Sequence, residues 1–181
     1  MYPFTDKIPT KKKSNWINTC QYIIIHHTGW WSYSTNLSYL SEWKAQASVH
    51  FVIWENEEAW KIWDPQNILW HAWTSEWWNL IWMNKYSLWI EVVWYWKYNT
   101  NQLIRLTDLV EYLMWVYNIP REKILRHCDI TQRWDFSKKK ILRDWKRSSR
   151  KVDISPDFFP MWFETRRNQL TPRKESRYWN I

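Results

Sequence analysis

A single α/β domain whose central mixed β-sheet is flanked by helices is what this sequence predicts, on three observations. Short β-branched runs recur at residues 22–25, 49–53 and 88–93. One stretch beginning near Thr107 carries its apolar residues at helical spacing. Strands interleaved with helices bury their apolar faces by packing as a sheet covered by helices. The chain has 181 residues, 45% hydrophobic and 24% charged, which is enough to bury one core and excludes both wholesale disorder and a membrane protein. No run approaches the roughly 20 apolar residues that a spanning helix needs.

Taken in order, residues 1–15 are polar, carry Lys11, Lys12 and Lys13 with no apolar stretch behind them, and read as an N-terminal arm without a secretory signal. Tyr22-Ile23-Ile24-Ile25 fits a buried strand that delivers His26-His27-Thr28 at its end. Residues 35–42 fit a short helix opened by Ser34 or Thr35. Residues 49–53 and 59–62 read as a strand pair around the turn Glu55-Asn56-Glu57-Glu58. In residues 88–93, Leu88, Ile90 and Val92 share one face and Glu91 lies on the other. Thr107 is placed to cap a helix through Leu109, Val110, Leu113, Met114 and Tyr117 that stops before Pro120. Residues 123–126 then read as a strand ending in His127. The domain is expected to span residues 16–165, with a basic insertion at about 131–149 and a basic tail over 166–181.

One count does not fit an ordinary domain. Average usage gives about 13 glycines in a chain this long, yet there is one, Gly29, beside twenty tryptophans. Turns and helix ends need positive φ, which glycine supplies without a Cβ penalty. Trp30-Trp31 and Trp77-Trp78 fall in loop-like surroundings, and Asp144-Trp145 stands where Asp-Gly would signal a hairpin. The expectation is that many of these tryptophans are UGA codons that the source decodes as glycine. A genuine tryptophan-rich surface for sugars or bases is the other reading, and it leaves the missing glycines unexplained.

The formal charge of +8 favours an anionic partner: nucleic acid, an acidic membrane or a charged wall polymer. Cys20 and Cys128 are too few for a disulfide framework. Chemistry concentrates at strand ends, where open sheets commonly build sites. His26 and His127 each follow an apolar strand, and with a later acidic residue they would meet the three-ligand requirement of a catalytic zinc. Any single histidine, taken alone, reads as a satisfied structural residue. Glu91, inside an apolar strand, reads as an acid/base carboxylate or as a solvated edge residue. Arg150-Lys151-Val152-Asp153 taken alone reads as a basic loop with one acid.

His26-His27-Thr28, Ser48-Val49-His50-Phe51-Val52-Ile53, Trp70-His71-Ala72-Trp73, Ser87-Leu88-Trp89-Ile90-Glu91, His127-Cys128-Asp129-Ile130 and Arg150-Lys151-Val152-Asp153 occur in that order. Together, over roughly residues 20–163, they resemble the zinc-dependent N-acetylmuramoyl-L-alanine amidases of the type-2 amidase and peptidoglycan-recognition-protein superfamily. That family has glycine where this chain has Trp73 and Trp89, and often where it has Trp63, Trp78, Trp82 and Trp94. It tends to keep tryptophan at Trp70 and Trp77.

The resemblance implies that His26, His127 and Asp153 hold Zn2+, that Glu91 and Lys151 are catalytic, and that His50, Trp70, His71 and Ala72 line the substrate groove. It implies hydrolysis of the bond between the lactyl group of N-acetylmuramic acid and L-alanine, with peptidoglycan or its muropeptides as partner, no nucleic acid, and a monomer. The chain departs from the family in the insertion between His127 and Asp153, and in Asp153-Ile154-Ser155-Pro156-Asp157 where Asp-Pro-Gly is usual. Asp157 competes for the metal, and the Arg-Lys-x-Asp register selects Asp153. Synthesis without a signal suits a phage endolysin or a cytoplasmic recycling amidase. The rival readings are a non-catalytic peptidoglycan-binding module and a basic nucleic-acid-binding domain.

Overall fold

Ile23, Ile24 and Ile25 carry branched β-carbons that suit a strand covered on both faces. In the computed structural model they form the buried middle of β2 (Tyr22–His27). The structure describes residues 2–6, 16–27, 48–56, 58–71, 75–93, 98–130, 133–135, 140–142 and 160–174. Among them the remaining strands are β1 (Thr5–Asp6), β3 (Phe51–Ile53), β4 (Ala59–Lys61), β5 (Glu76–Trp77), β6 (Leu80–Ile81), β7 (Ser87–Val92), β8 (Ile124–Arg126), β9 (Arg133–Asp135) and β10 (Lys140–Leu142). Six of them form the central sheet in the order β1-β4-β3-β7-β2-β8. Its β3–β4 junction is antiparallel and its other junctions are parallel, so the sheet is mixed.

Alternation sorts the side chains of the central strands onto two faces. Ile23, Ile25, Phe51, Ile53, Leu88, Ile90 and Val92 face α1 (Thr100–Tyr117), which buries Leu106, Leu109, Val110, Leu113 and Met114 against them. Tyr22, Ile24, Val52, Trp54, Trp60, Trp89 and Leu125 form a second cluster on the opposite face. The site is built on that second face.

α1 begins earlier than its apolar pattern predicts. Asn99, not Thr107, is the N-cap, its side chain accepting from the Gln102 amide at 2.6 Å. Thr107 lies inside the helix, where its hydroxyl donates to the Leu103 carbonyl at 2.9 Å. The polar first turn Thr100-Asn101-Gln102 hid the start. The end is as expected: Asn118 adopts the left-handed conformation at the C-cap, and Pro120 follows.

Within the insertion β9 and β10 pair antiparallel; the hairpin turn expected at Asp144-Trp145 lies outside the described residues. The expected helix at 35–42 also lies outside them. Within the stretch expected to be an arm, Thr5 and Asp6 pair in parallel with Trp60 and Lys61. Phe4 packs on Phe51 at 5.3 Å, and Lys61 bonds Asp6 at 2.7 Å. After α3 (Pro160–Arg167), Leu170 is buried and Arg173 donates to the Glu111 carbonyl at 2.9 Å, so this part of the basic tail runs back along α1.

Candidate active site

Three parallel strands end side by side. In the β2–β7 register His26 stands opposite Glu91, and in the β2–β8 register Ile25 stands opposite Arg126. His127, the next residue along, opens α2 (His127–Ile130) beside His26. Asp129 enforces the turn from strand to helix by accepting from the Arg126 amide at 2.8 Å and from its guanidinium at 2.9 and 3.2 Å. Residues 101 positions apart along the chain are thereby stacked, with the His26 and His127 ring centroids 4.3 Å apart.

His26 Nδ1 lies 3.0 Å from the His27 carbonyl and 3.4 Å from Glu91 Oε1. Both neighbours are acceptors, so Nδ1 carries the proton and the ring lone pair is on Nε2, the form a metal takes. Glu91 is buried, and its Oε2 accepts from Trp89 Nε1 at 3.3 Å.

His50, which the resemblance expects on the groove wall, is enclosed in the core. It is fully buried; the Trp89 amide donates to its Nδ1 at 3.0 Å, and its Nε2 donates to the Asn67 carbonyl at 3.0 Å. Both ring nitrogens are used, and burial pushes its pKa down to about 4. His71 is also buried, but among the described residues neither of its nitrogens has a hydrogen-bond partner. Burial first, then the nearby His50, His127 and His26, hold its imidazole well below the ordinary histidine range, so it stays neutral. Trp70 is exposed, stands edge-on to Trp82 at 5.8 Å, and is tied by its amide to Ser48 Oγ at 2.9 Å. Ala72, Lys151 and Asp153 lie outside the described residues.

The sequence reading missed Trp89 as part of the site. Its indole is buried with centroids 3.7 Å from His71, 4.8 Å from His26 and 5.2 Å from His127. The signal was available: two residues before Glu91 in a strand, position 89 must share its face.

The donor chemistry fits zinc. Two imidazoles from distant segments stand together, one in the tautomer a metal needs, beside a buried carboxylate. Among the described residues no group of three His, Cys, Asp or Glu is arranged to hold an ion, and the expected third ligand, Asp153, is not among them.

The family model for N-acetylmuramoyl-L-alanine amidase matches residues 17–140. The chain belongs to that family. The matched stretch carries His26, Glu91 and His127 and stops short of Lys151 and Asp153. No curated protein matches the sequence. Among solved structures, the chain is similar to AmpDh3 of Pseudomonas aeruginosa in complex with anhydromuramic pentapeptide. The identity is 18%, covering 73% of this chain and 60% of that one, with a TM-score of 0.57. It is similar to E. coli AmiD in complex with anhydro-N-acetylmuramic acid-L-Ala-D-γ-Glu-L-Lys, at 21% identity, covering 68% of this chain and 54% of that one, with a TM-score of 0.57. An AmpD derivative matches at 17% identity over 84% of this chain and 90% of that one, with a TM-score of 0.61. At these identities the likeness shows the amidase fold. The chain spans 60% and 54% of the lengths of AmpDh3 and AmiD.

Proposed function

We propose that this amidase-family chain hydrolyses the amide between N-acetylmuramic acid and L-alanine in peptidoglycan, using Zn2+ held by His26, His127 and Asp153. The observation that carries the reading is the register of β2, β7 and β8, which sets His26, Glu91 and His127 beside one another. The muropeptides bound by AmpDh3 and AmiD, as their structures are described, supply the substrate class.

Bound zinc would supply Lewis acidity toward the scissile carbonyl and the attacking water. Glu91, held against His26 and shielded from solvent, takes a proton from that water and returns it to the departing L-alanine amine. Lys151 supplies a positive charge for the oxyanion that develops on the carbonyl. The Nδ1–H of His26, directed at the His27 carbonyl, keeps Nε2 deprotonated for the metal. Trp70, presented on the surface, offers an aromatic face to the sugar or peptide. Among the described residues no helix is long and apolar enough to cross a membrane, and the positive charge suits an anionic wall polymer. Wall lysis as an endolysin and recycling of muropeptides both use this reaction.

The test is the release of L-alanine amino termini from purified cell wall by protein made with glycine at the suspect tryptophan positions. Release that stops on chelation and returns with zinc supports the reading; release indifferent to the chelator refutes the zinc assignment, and no release refutes the function. A non-catalytic binding module is favoured by one observation, the packing of the Trp89 indole against His26, His71 and His127.

A further inference from the structure

Trp89 sits where a hydrolytic site needs room. Its ring lies within contact range of His71, His26 and His127, and its Nε1 bonds the carboxylate expected to handle protons. With the indole in place, the imidazoles of His26 and His127 stack on each other, His26 tilted against the indole and His127 edge-on to it, and His71 is buried with no hydrogen-bond partner for either nitrogen among the described residues. A buried polar ring without partners is costly, and natural sites seldom leave one. Removing the indole alone would leave a cavity lined by three imidazoles and Glu91. A cavity with that lining takes up water or a cation, unlike an apolar one, which stays dry. Glycine within a strand is the usual device where a ligand must come close to the backbone.

The same chain places two other tryptophans in backbone conformations that favour glycine. Trp78 has φ 55° and Trp82 φ 64°, a region that is a genuine outlier for a bulky residue. Trp78 is 80% exposed, so no burial of its ring offsets the strain. With one glycine against twenty tryptophans, all three positions point to one cause.

We propose that the residue at position 89 gates the site: the indole of Trp89 closes it, and glycine, which the functional polypeptide carries there, opens it to zinc and the muramoyl amide. The gate rests on the function proposed above.

The test compares the full chain with its Trp89→Gly variant, both stripped of metal and matched by circular dichroism, by calorimetric titration with zinc and by wall hydrolysis. The glycine variant is expected to bind one zinc about 10-fold tighter or better and to release L-alanine termini where the tryptophan form does not. Trp89→Ala also removes the ring, and the same gain in zinc affinity is expected of it should the glycine variant not fold. Equal zinc affinity with hydrolysis by both forms overturns the gate and leaves the function standing. Folded variants that neither bind zinc nor hydrolyse wall overturn both. Fragmentation of the tryptic peptide 86–97 from the natural source should give a glycine residue mass at position 89, and a tryptophan mass there overturns the proposal.

Discussion

The two faces of the sheet solve different problems. The contact between the sheet and α1 is aliphatic: Ile23, Ile25, Leu88, Ile90 and Val92 meet Leu106, Leu109, Val110 and Leu113, while the polar groups that α1 buries, Gln102, Thr107, Asp108 and Glu111, belong to the helix and not to the strands. The opposite face mixes Ile24, Val52 and Leu125 with His26, His50, His71, Glu91 and His127, all at least largely buried. Burying polar rings and a carboxylate is destabilising unless each finds a partner. One face therefore supplies stability, and the other spends some of it on positioned chemistry. Substitutions that separate activity from stability should fall on different sides of this division.

The largest expected effect is on the site face. In the Trp89→Gly background, Glu91→Ala should lower wall hydrolysis by about 10²- to 10⁴-fold, the usual worth of a positioned general acid/base, while calorimetric zinc affinity and the melting temperature stay near those of that background. Full activity in the variant refutes the role given to Glu91. Leu109→Ala, fully buried under α1, should behave in the opposite way. Its loss is about 2–5 kcal/mol of stability in urea titrations, with activity per folded molecule unchanged. A matching fall in activity would show that the two faces are coupled.

How far this division was legible in the sequence differs by residue. β2 and β7 were visible because β-branched runs have few other uses, and the helix was visible from its apolar stripe. Its start was not, because Asn99 makes its cap in a polar stretch that looks like loop. His26 and His127 could be singled out as strand-end residues, but only the pairing of β2 with β8 makes them neighbours. The burial of His50 was not legible because a motif carries over a role without its depth, and its two hydrogen bonds to Asn67 and Trp89 come from segments far apart in the chain. Trp89 was marked only as a tryptophan where the family has glycine, and its place in the site emerges from its packing against His26, His71 and His127.

His50 sharpens the comparison through pH. Its folded pKa of about 4 lies below the ordinary histidine value of 6.5. Between those values the unfolded chain holds a proton on this imidazole that the folded chain lacks, so stability rises with pH across that window. The contribution is fully present above pH 6.5 and is lost as pH falls toward 4. It amounts to about 3 kcal/mol on the ordinary linkage relation. A His50→Gln variant should show a shallower fall in urea midpoint between pH 6.5 and 4, although it starts from a lower stability. An unchanged slope would mean that the acid sensitivity arises elsewhere on this face.

The smallest effect tests the backbone and neither face. Trp78 connects β5 to β6 in a left-handed conformation with its ring in solvent. A Cβ in that region costs about 1–2 kcal/mol, and the extra freedom glycine brings to the unfolded chain returns roughly 0.4–1 kcal/mol of that. Trp78→Gly should therefore stabilise the chain by up to about 1.6 kcal/mol in urea titrations. Most large-to-small substitutions destabilise, so the sign alone is informative. A loss of stability would mean that the indole makes contacts worth more than the strain, and that tryptophan belongs at this turn.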